Sequence, residues 1–183
     1  MTRPVPELVA PHHRWQDSFA EALYEGLELR PETPENILLA RHDLDEYMRR
    51  RQDLSRPITL PGGIVINRVP QQDFWLVAED AFLGRICLRP QLNGYLKKRG
   101  GHIGYAVRRT ARGQGYGHLM LRLMLPVARA QGLEKVLITC HDENQGSIRI
   151  IEGAGGVLQD KVTIPGEPLP ERRYWIDLTG EEK

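Results

Sequence analysis

Val107-Arg108-Arg109-Thr110-Ala111-Arg112-Gly113-Gln114-Gly115-Tyr116-Gly117-His118-Leu119-Met120 joins an apolar strand to an amphipathic helix. The strand is Gly101-His102-Ile103-Gly104-Tyr105-Ala106-Val107. The helix begins near Gly115 and runs to about Gln131. Glycines at 113, 115 and 117 allow backbone angles closed to other residues and a close approach to the main chain. A glycine turn that opens a helix presents unpaired N–H groups at the positive end of the helix dipole. That arrangement suits phosphate. Arg112 adds a fixed charge and a planar donor fork beside it. The same turn could also be a strand-to-helix connection that holds nothing.

Three phosphate motifs compete here. A P-loop requires Gly-x4-Gly-Lys-Ser/Thr, and no such lysine follows these glycines. A dinucleotide fingerprint requires Gly-x-Gly-x-x-Gly, and His118 stands where its third glycine would be. The remaining pattern, Arg/Gln-x-x-Gly-x-Gly/Ala, fits Arg112-Gly113-Gln114-Gly115-Tyr116-Gly117 in full. On these residues the chain resembles the GCN5-related N-acetyltransferase (GNAT) superfamily, as one of its little-characterised subgroups. The resemblance implies that this loop holds the pyrophosphate of acetyl-CoA, used as co-substrate. Asn144-Gln145-Gly146-Ser147, just past a strand ending at Cys140, matches the family's Asn with a small residue three later, which borders the pantetheine. Gly155-Gly156 stands where the family often has Gly-Phe.

The implied co-substrate site is Ala106, Val107, Arg108, Arg112, Gly113, Gln114, Gly115, Tyr116, Gly117, His118, Asn144 and Ser147. The implied fold is α/β (α+β), a single GNAT-type domain over 1–183 with frayed ends at about 1–6 and 179–183. Its mixed, largely antiparallel central sheet would have six to seven strands flanked by helices on both faces. The family splays the strand ending at Val107 from the strand ending at Cys140. Pantetheine then pairs with main chain near Ala106 and Val107.

The rest of the chain follows that order. Residues 7–9 suggest an edge strand. Trp15, Phe19, Ala22, Leu23 and Leu27 recur at helical spacing, predicting a helix from His13 to Leu29. Thr33-Pro34-Glu35 is a cap followed by a first-turn proline, opening a second helix with Ile37, Leu38, Leu44, Tyr47 and Met48 inward. Asp45/Arg49 and Glu46/Arg50 are opposite charges four apart on its solvated face. Pro57 to Pro70 is a loop with a short strand. Phe74–Glu79 and Leu83–Leu88 form a hairpin with a turn at Asp80-Ala81, and 90–100 is a polar loop. Tyr116, Leu119, Met120, Leu123, Met124, Val127 and Ala128 form the apolar stripe of the central helix. Gly132 stops that helix, and Pro126 predicts a kink near Arg122. Lys135–Cys140 is a buried strand, Ser147–Gly153 a short helix, and Val157–Ile164 and Arg172–Leu178 are strands.

Composition narrows the class. A 40% hydrophobic content over 183 residues supports a sizeable core, and the net charge of +1 gives no bulk attraction to nucleic acid or membrane. Neither a signal layout nor an 18-residue apolar run is present. Cys87 and Cys140 lie in apolar stretches and read as reduced thiols. The expectation is a cytoplasmic protein, monomer or homodimer, with no metal.

The chemistry expected is acetyl transfer from acetyl-CoA to an amine of a small molecule or protein. The amine must lose a proton, so a base is needed. His102, on the strand beside the expected site, is one candidate; Glu79, at a strand end, is the other. Tyr105 reads as core. Cys140 lacks a histidine partner for nucleophilic work, and His141, Asp142 and Glu143 lack a metal spacing. Many family members carry a Tyr seven residues after the Asn as general acid; here that position is Ile151. Lys97, Lys98 and Arg99 weigh against a cationic acceptor near that loop. The alternatives are a CoA-binding sensor or degenerate family member, and a nicotinamide-dependent Rossmann enzyme, which His118 argues against.

Overall fold

The computed structural model describes residues 4–27, 32–59, 63 and 65–180. In chain order the elements are β1 (Glu7–Val9), α1 (Gln16–Tyr24), α2 (Pro34–His42), α3 (Leu44–Gln52), β2 (Ile58–Thr59), β3 (Val65–Ile66), β4 (Gln72–Ala78) and β5 (Ala81–Leu88). Then follow β6 (Ile103–Val107), α4 (Tyr116–Ala130), β7 (Lys135–His141), α5 (Gln145–Gly153), β8 (Val157–Val162) and β9 (Glu171–Asp177). The α+β class is as expected. The seven long-range strands divide into a four-stranded sheet, β1-β4-β5-β6, and a three-stranded sheet, β7-β9-β8, rather than one continuous sheet. Every pairing within them is antiparallel.

Alternation along β4 sends side chains to two helical layers. Trp75 and Val77 pack with Phe19, Leu23, Leu44 and Tyr47 of α1 and α3. Phe19 stacks on Trp75 with ring centroids 4.4 Å apart. On the opposite face Leu76, with Ile86 and Leu88 of β5, meets Met120, Leu121 and Met124 of α4. Helices therefore cover both faces.

Several boundaries differ from expectation for local reasons. The first helix begins with a 3-10 turn at His13–Trp15 and stops at Gly26, whose φ is +81°. Leu27 is still buried, while residues 28–31 lie outside the described residues. The second helix is two helices, because Asp43 leaves helical geometry and its carboxylate accepts the Glu46 N–H, capping α3. Glu46 pairs with Arg49 and Arg50, whereas Asp45 reaches back to His13. The loop after α3 closes with the small β2–β3 pairing. The hairpin turn lies at Glu79-Asp80. The α4 stripe is rotated: Leu121 is fully buried, Leu123 is 36% exposed, and the helix continues through Pro126. Ile164 is buried but lies beyond the end of β8.

Candidate active site

The site arises where the two sheets meet and part. Just before β6 the chain bonds to β7: the His102 N–H donates to the Leu137 carbonyl at 2.7 Å and the Gly100 N–H to the Thr139 hydroxyl at 2.8 Å. In return, the Leu137 N–H donates to His102 Nδ1 at 2.8 Å, so the imidazole stands in for a ladder carbonyl. Gly101, at φ +61°, makes this contact possible, since a Cβ there would lie 2.2 Å from the Leu137 oxygen. Beyond it β6 and β7 belong to separate sheets. The resulting cleft is a cavity of about 760 Å³ walled by β6, the end of β7, the glycine loop and the first turns of α4 and α5.

At one end lies the glycine loop. A 3-10 turn, Arg109–Ala111, follows β6, and Arg112 Nε donates to the Val107 carbonyl at 3.3 Å. Gly113 and Gly115 have φ of +76° and +82°, and a Cβ on either would point into open space. Gly115 is the N-cap of α4 and brings no capping side chain. The first helical bond is Leu119 N–H to the Gly115 carbonyl, so the N–H groups of Tyr116, Gly117 and His118 have no acceptor within the helix. Gly117 serves packing instead: a Cβ there would stand 2.5 Å from Ile150 Cδ1 of α5.

Of the residues expected at this site, Ala106, Val107, Arg112, Gly113, Gly115 and Tyr116 line the cavity, as do Gly117, His118, Asn144 and Ser147. Arg108 and Gln114 do not. The Arg108 guanidinium turns to α1, bonding Ser18, Glu21 and Glu25. Asn144 also caps α5, accepting the Ser147 N–H at 3.0 Å.

In the middle stands Tyr105, which lines the cavity rather than disappearing into the core. Its hydroxyl is buried next to Ser147, without a hydrogen bond of full geometry, and burial pushes its pKa up to about 12, against the pull of Ser147. A buried hydroxyl beside an uncapped helix start and two open glycines fits an elongated polyanionic thioester, with phosphates at the loop and acyl end near Tyr105. Cys140 is buried here too, and burial pushes its thiol up to about 12, against a nucleophilic role. Ile151 is fully buried.

The far end carries charges that the sequence did not mark as a group. Arg99 turns inward and meets Glu167 at 2.6 Å, Glu171 at 3.3 Å and His141 Nε2 at 2.9 Å. Because that arginine is a donor, His141 Nε2 must accept, which leaves Nδ1 as the protonated nitrogen, 3.1 Å from the Glu171 carboxylate. Burial pushes the Glu171 carboxyl upward, against the pull of His141 and Arg99. Arg89 lines the same end, with Nε donating to Gln71 at 3.1 Å. Register places these groups together: His141 pairs with Glu171 across β7 and β9, and 99–101 forms the corner before β6. Nothing in local spacing announces a 30-residue separation of this kind.

Neither expected base lies in this cavity. His102 faces the opposite side, near Trp175, where its Nδ1 is committed to Leu137 and burial lowers its pKa. Glu79 is exposed in the β4–β5 turn, with φ +50°. Among the described residues no helix is long and apolar enough to cross a membrane, and no group of three or more His, Cys, Asp or Glu is placed to hold a metal ion.

Comparison with known proteins agrees with this architecture. None of the curated proteins matches the chain in sequence. Among solved structures it is similar to a probable acetyltransferase (TM-score 0.65, 17% identity, 94% of this chain and 92% of that one). It is also similar to RimL, a ribosomal L7/L12 alpha-N-protein acetyltransferase in complex with coenzyme A (TM-score 0.63, 14% identity, 96% of each chain). A third is yncA, a putative acetyltransferase from Salmonella typhimurium with its cofactor acetyl-CoA (TM-score 0.59, 13% identity, 94% of each). At these identities the likeness speaks to the fold. The sequence itself supplies the family, because the model described as "Acetyltransferase (GNAT) domain" matches residues 14–157. With most of the chain inside that match and a glycine loop opening α4 beside two parted strands, this protein belongs to the GNAT acetyltransferases.

Proposed function

We propose that this protein is an acetyl-CoA-dependent N-acetyltransferase, built as one GNAT domain over 1–183, that transfers acetyl directly to an amine. The observation that carries the reading is the uncapped start of α4, whose free N–H groups and flanking Arg112 face a cavity that runs on between β6 and β7. Backbone donors of that kind hold phosphates without any charged side chain being required. Acetyl-CoA supplies the activated acyl group.

The residues of the chain do the rest. Sheet alternation sends the Arg108 N–H to the Leu83 carbonyl, so the main-chain groups of Tyr105 and Val107 face the open edge of β6. That edge provides partners for an amide-bearing chain and a donor for a carbonyl oxygen as it gains charge. The amine gives up a proton and forms its bond to the carbonyl carbon as the carbon–sulfur bond breaks, with the electron pair leaving on sulfur. We assign the donor for that sulfur to the Tyr105 hydroxyl, which stays protonated at neutral pH and stands in for the Tyr that Ile151 replaces. The base belongs to the end of the cavity where Glu171 and His141 stand, since His102 and Glu79 lie outside it.

The test is a calorimetric titration with acetyl-CoA, coenzyme A and NADH, followed by thiol release with an amine panel. Micromolar acetyl-CoA binding, no NADH binding and amine-dependent thiol release are expected. Binding without thiol release on any amine would favour the CoA-sensor reading.

A further inference from the structure

The two ends of the cavity carry separate charged groups. Arg112 and Arg149 border the phosphate end. The Arg89 guanidinium stands over Gly104, three steps and about 10 Å along β6 from Val107. A guanidinium there is too far along the cleft to serve the same phosphates as the loop.

Arg89 lacks a counter-ion. Its Nε bonds the neutral Gln71 side chain and one Nη reaches the Gly101 carbonyl at 3.4 Å. Among the described residues no carboxylate pairs with it. Gly104 lies beneath it, and a Cβ on that glycine would press on the guanidinium at 3.3 Å. The bare backbone keeps room in the cavity just where the cation stands.

Across the Gly100-Gly101 corner stands an acid. Glu171 is 2% exposed and borders the cavity, with Arg99 Nε at 3.3 Å and His141 Nδ1 at 3.1 Å. Lys97 and Lys98 point to solvent, so the basic run in the sequence does not bias this end against an ammonium. A buried carboxylate and an arginine with no carboxylate partner thus share one compartment.

We propose that the acceptor is a zwitterion, an amine bearing a carboxylate a few bonds away, as in an α-amino acid. Arg89 holds the carboxylate, and Glu171 receives the ammonium. This rests on the N-acetyltransferase reading and names its substrate class. The ammonium passes one proton to the Glu171 carboxylate, and the freed lone pair attacks the thioester carbon. The second N–H proton leaves as the amide forms, so product, free thiol and one released proton balance the reaction. Arg89 is a binding residue in this scheme and moves no proton.

The experiment measures binding and turnover separately. The probes are the twenty L-amino acids, their amides and the corresponding decarboxylated amines. Each is titrated by thermal shift into the protein alone and into the protein with coenzyme A, then assayed for thiol release. At least one amino acid should bind and turn over, with its amide and amine weaker by roughly 10- to 100-fold, the range for one lost charge-assisted hydrogen bond. Arg89→Lys and Arg89→Ala should raise KM for that amino acid by a similar factor and leave the acetyl-CoA Kd unchanged. An amide or amine used as well as its amino acid overturns the proposal, as does an Arg89 variant with unchanged KM or a panel in which no amino acid binds. Should acetyl-CoA itself fail to bind, the transferase reading falls, while amino-acid binding to the free protein still decides the assignment of Arg89.

Discussion

Gly115→Asp separates the two things Gly115 does. Its φ of +82° disfavours any L side chain, at about 1–2 kcal/mol. In a chain of this length that lowers Tm by roughly 2–8 °C. Gly115→Ala carries the same strain and meets no atom within 4 Å, so it measures the backbone cost alone. The aspartate adds a carboxylate beside the uncapped start of α4, where a pyrophosphate would lie. One pair of like charges about 5 Å apart at an effective dielectric near 20 costs about 3 kcal/mol, or roughly 200-fold in affinity. Part of that cost is electrostatic and should shrink in 1 M salt. The assay is calorimetric titration with acetyl-CoA on both variants, each first shown to be folded by its Tm. Aspartate should abolish measurable binding where alanine weakens it only a few-fold. A folded Gly115→Asp protein with wild-type affinity would refute the loop as the phosphate site.

Three further outcomes follow from the geometry. His102→Ala should act on stability rather than chemistry, costing about 1–3 kcal/mol for the orphaned Leu137 N–H while the acetyl-CoA Kd and the pH profile of turnover stay as in wild type. Because burial lowers the His102 pKa, wild-type stability should fall as pH drops below the unfolded value of 6.5, and this component should vanish in the variant on pH-resolved denaturation. Tyr105→Phe should lower kcat by about 10-fold or more if it donates to the departing sulfur, with acetyl-CoA affinity retained; an unchanged kcat removes that role. Glu25 is held below its ordinary value by hydrogen bonds from Arg108. Its stabilisation is therefore present above the unfolded value of 4.5 and lost as pH falls through the lower folded pKa, so Glu25→Gln should flatten acid unfolding in that window.

Legibility followed the range of the forces involved. The glycine loop could be read because its determinants are contiguous: three glycines, an arginine and a helical stripe within about one turn of each other. Thr33 as a cap and Gly132 as a stop were readable for the same reason. Asp43 was missed inside a helical pattern, although its carboxylate three residues before Glu46 is a local capping signal. The α4 stripe was rotated because Leu121 and Leu123 are equally apolar, and only the position of β5 decides which is covered. His102 illustrates the harder limit. Its strand position suggested a base, but its role depends on the Leu137 N–H, 35 residues away. Arg89 follows the end of β5, while His141 and Glu171 come from β7 and β9, and their meeting is a property of strand order.

The parted strands also explain how one edge can serve two ligands. An unpaired strand edge inside a protein leaves main-chain groups without partners, which is costly unless something covers them. Here Ile103, Tyr105 and Val107 point toward α4 and α5, and the intervening Gly104 and Ala106 point toward the α1–α3 side. The large residues wall the side on which the glycine loop and Asn144 lie. The small ones leave depth on the side where Arg89 stands over Gly104. A thioester lying along the edge from the first side and an acceptor entering from the second would meet at the same main-chain groups. The main-chain bond from His102 to Leu137 joins the two strands where the cleft closes. The His102 ring lies on the other side, with its Nδ1 spent on the Leu137 N–H rather than on a substrate proton, so its removal should cost stability and leave the two routes unchanged.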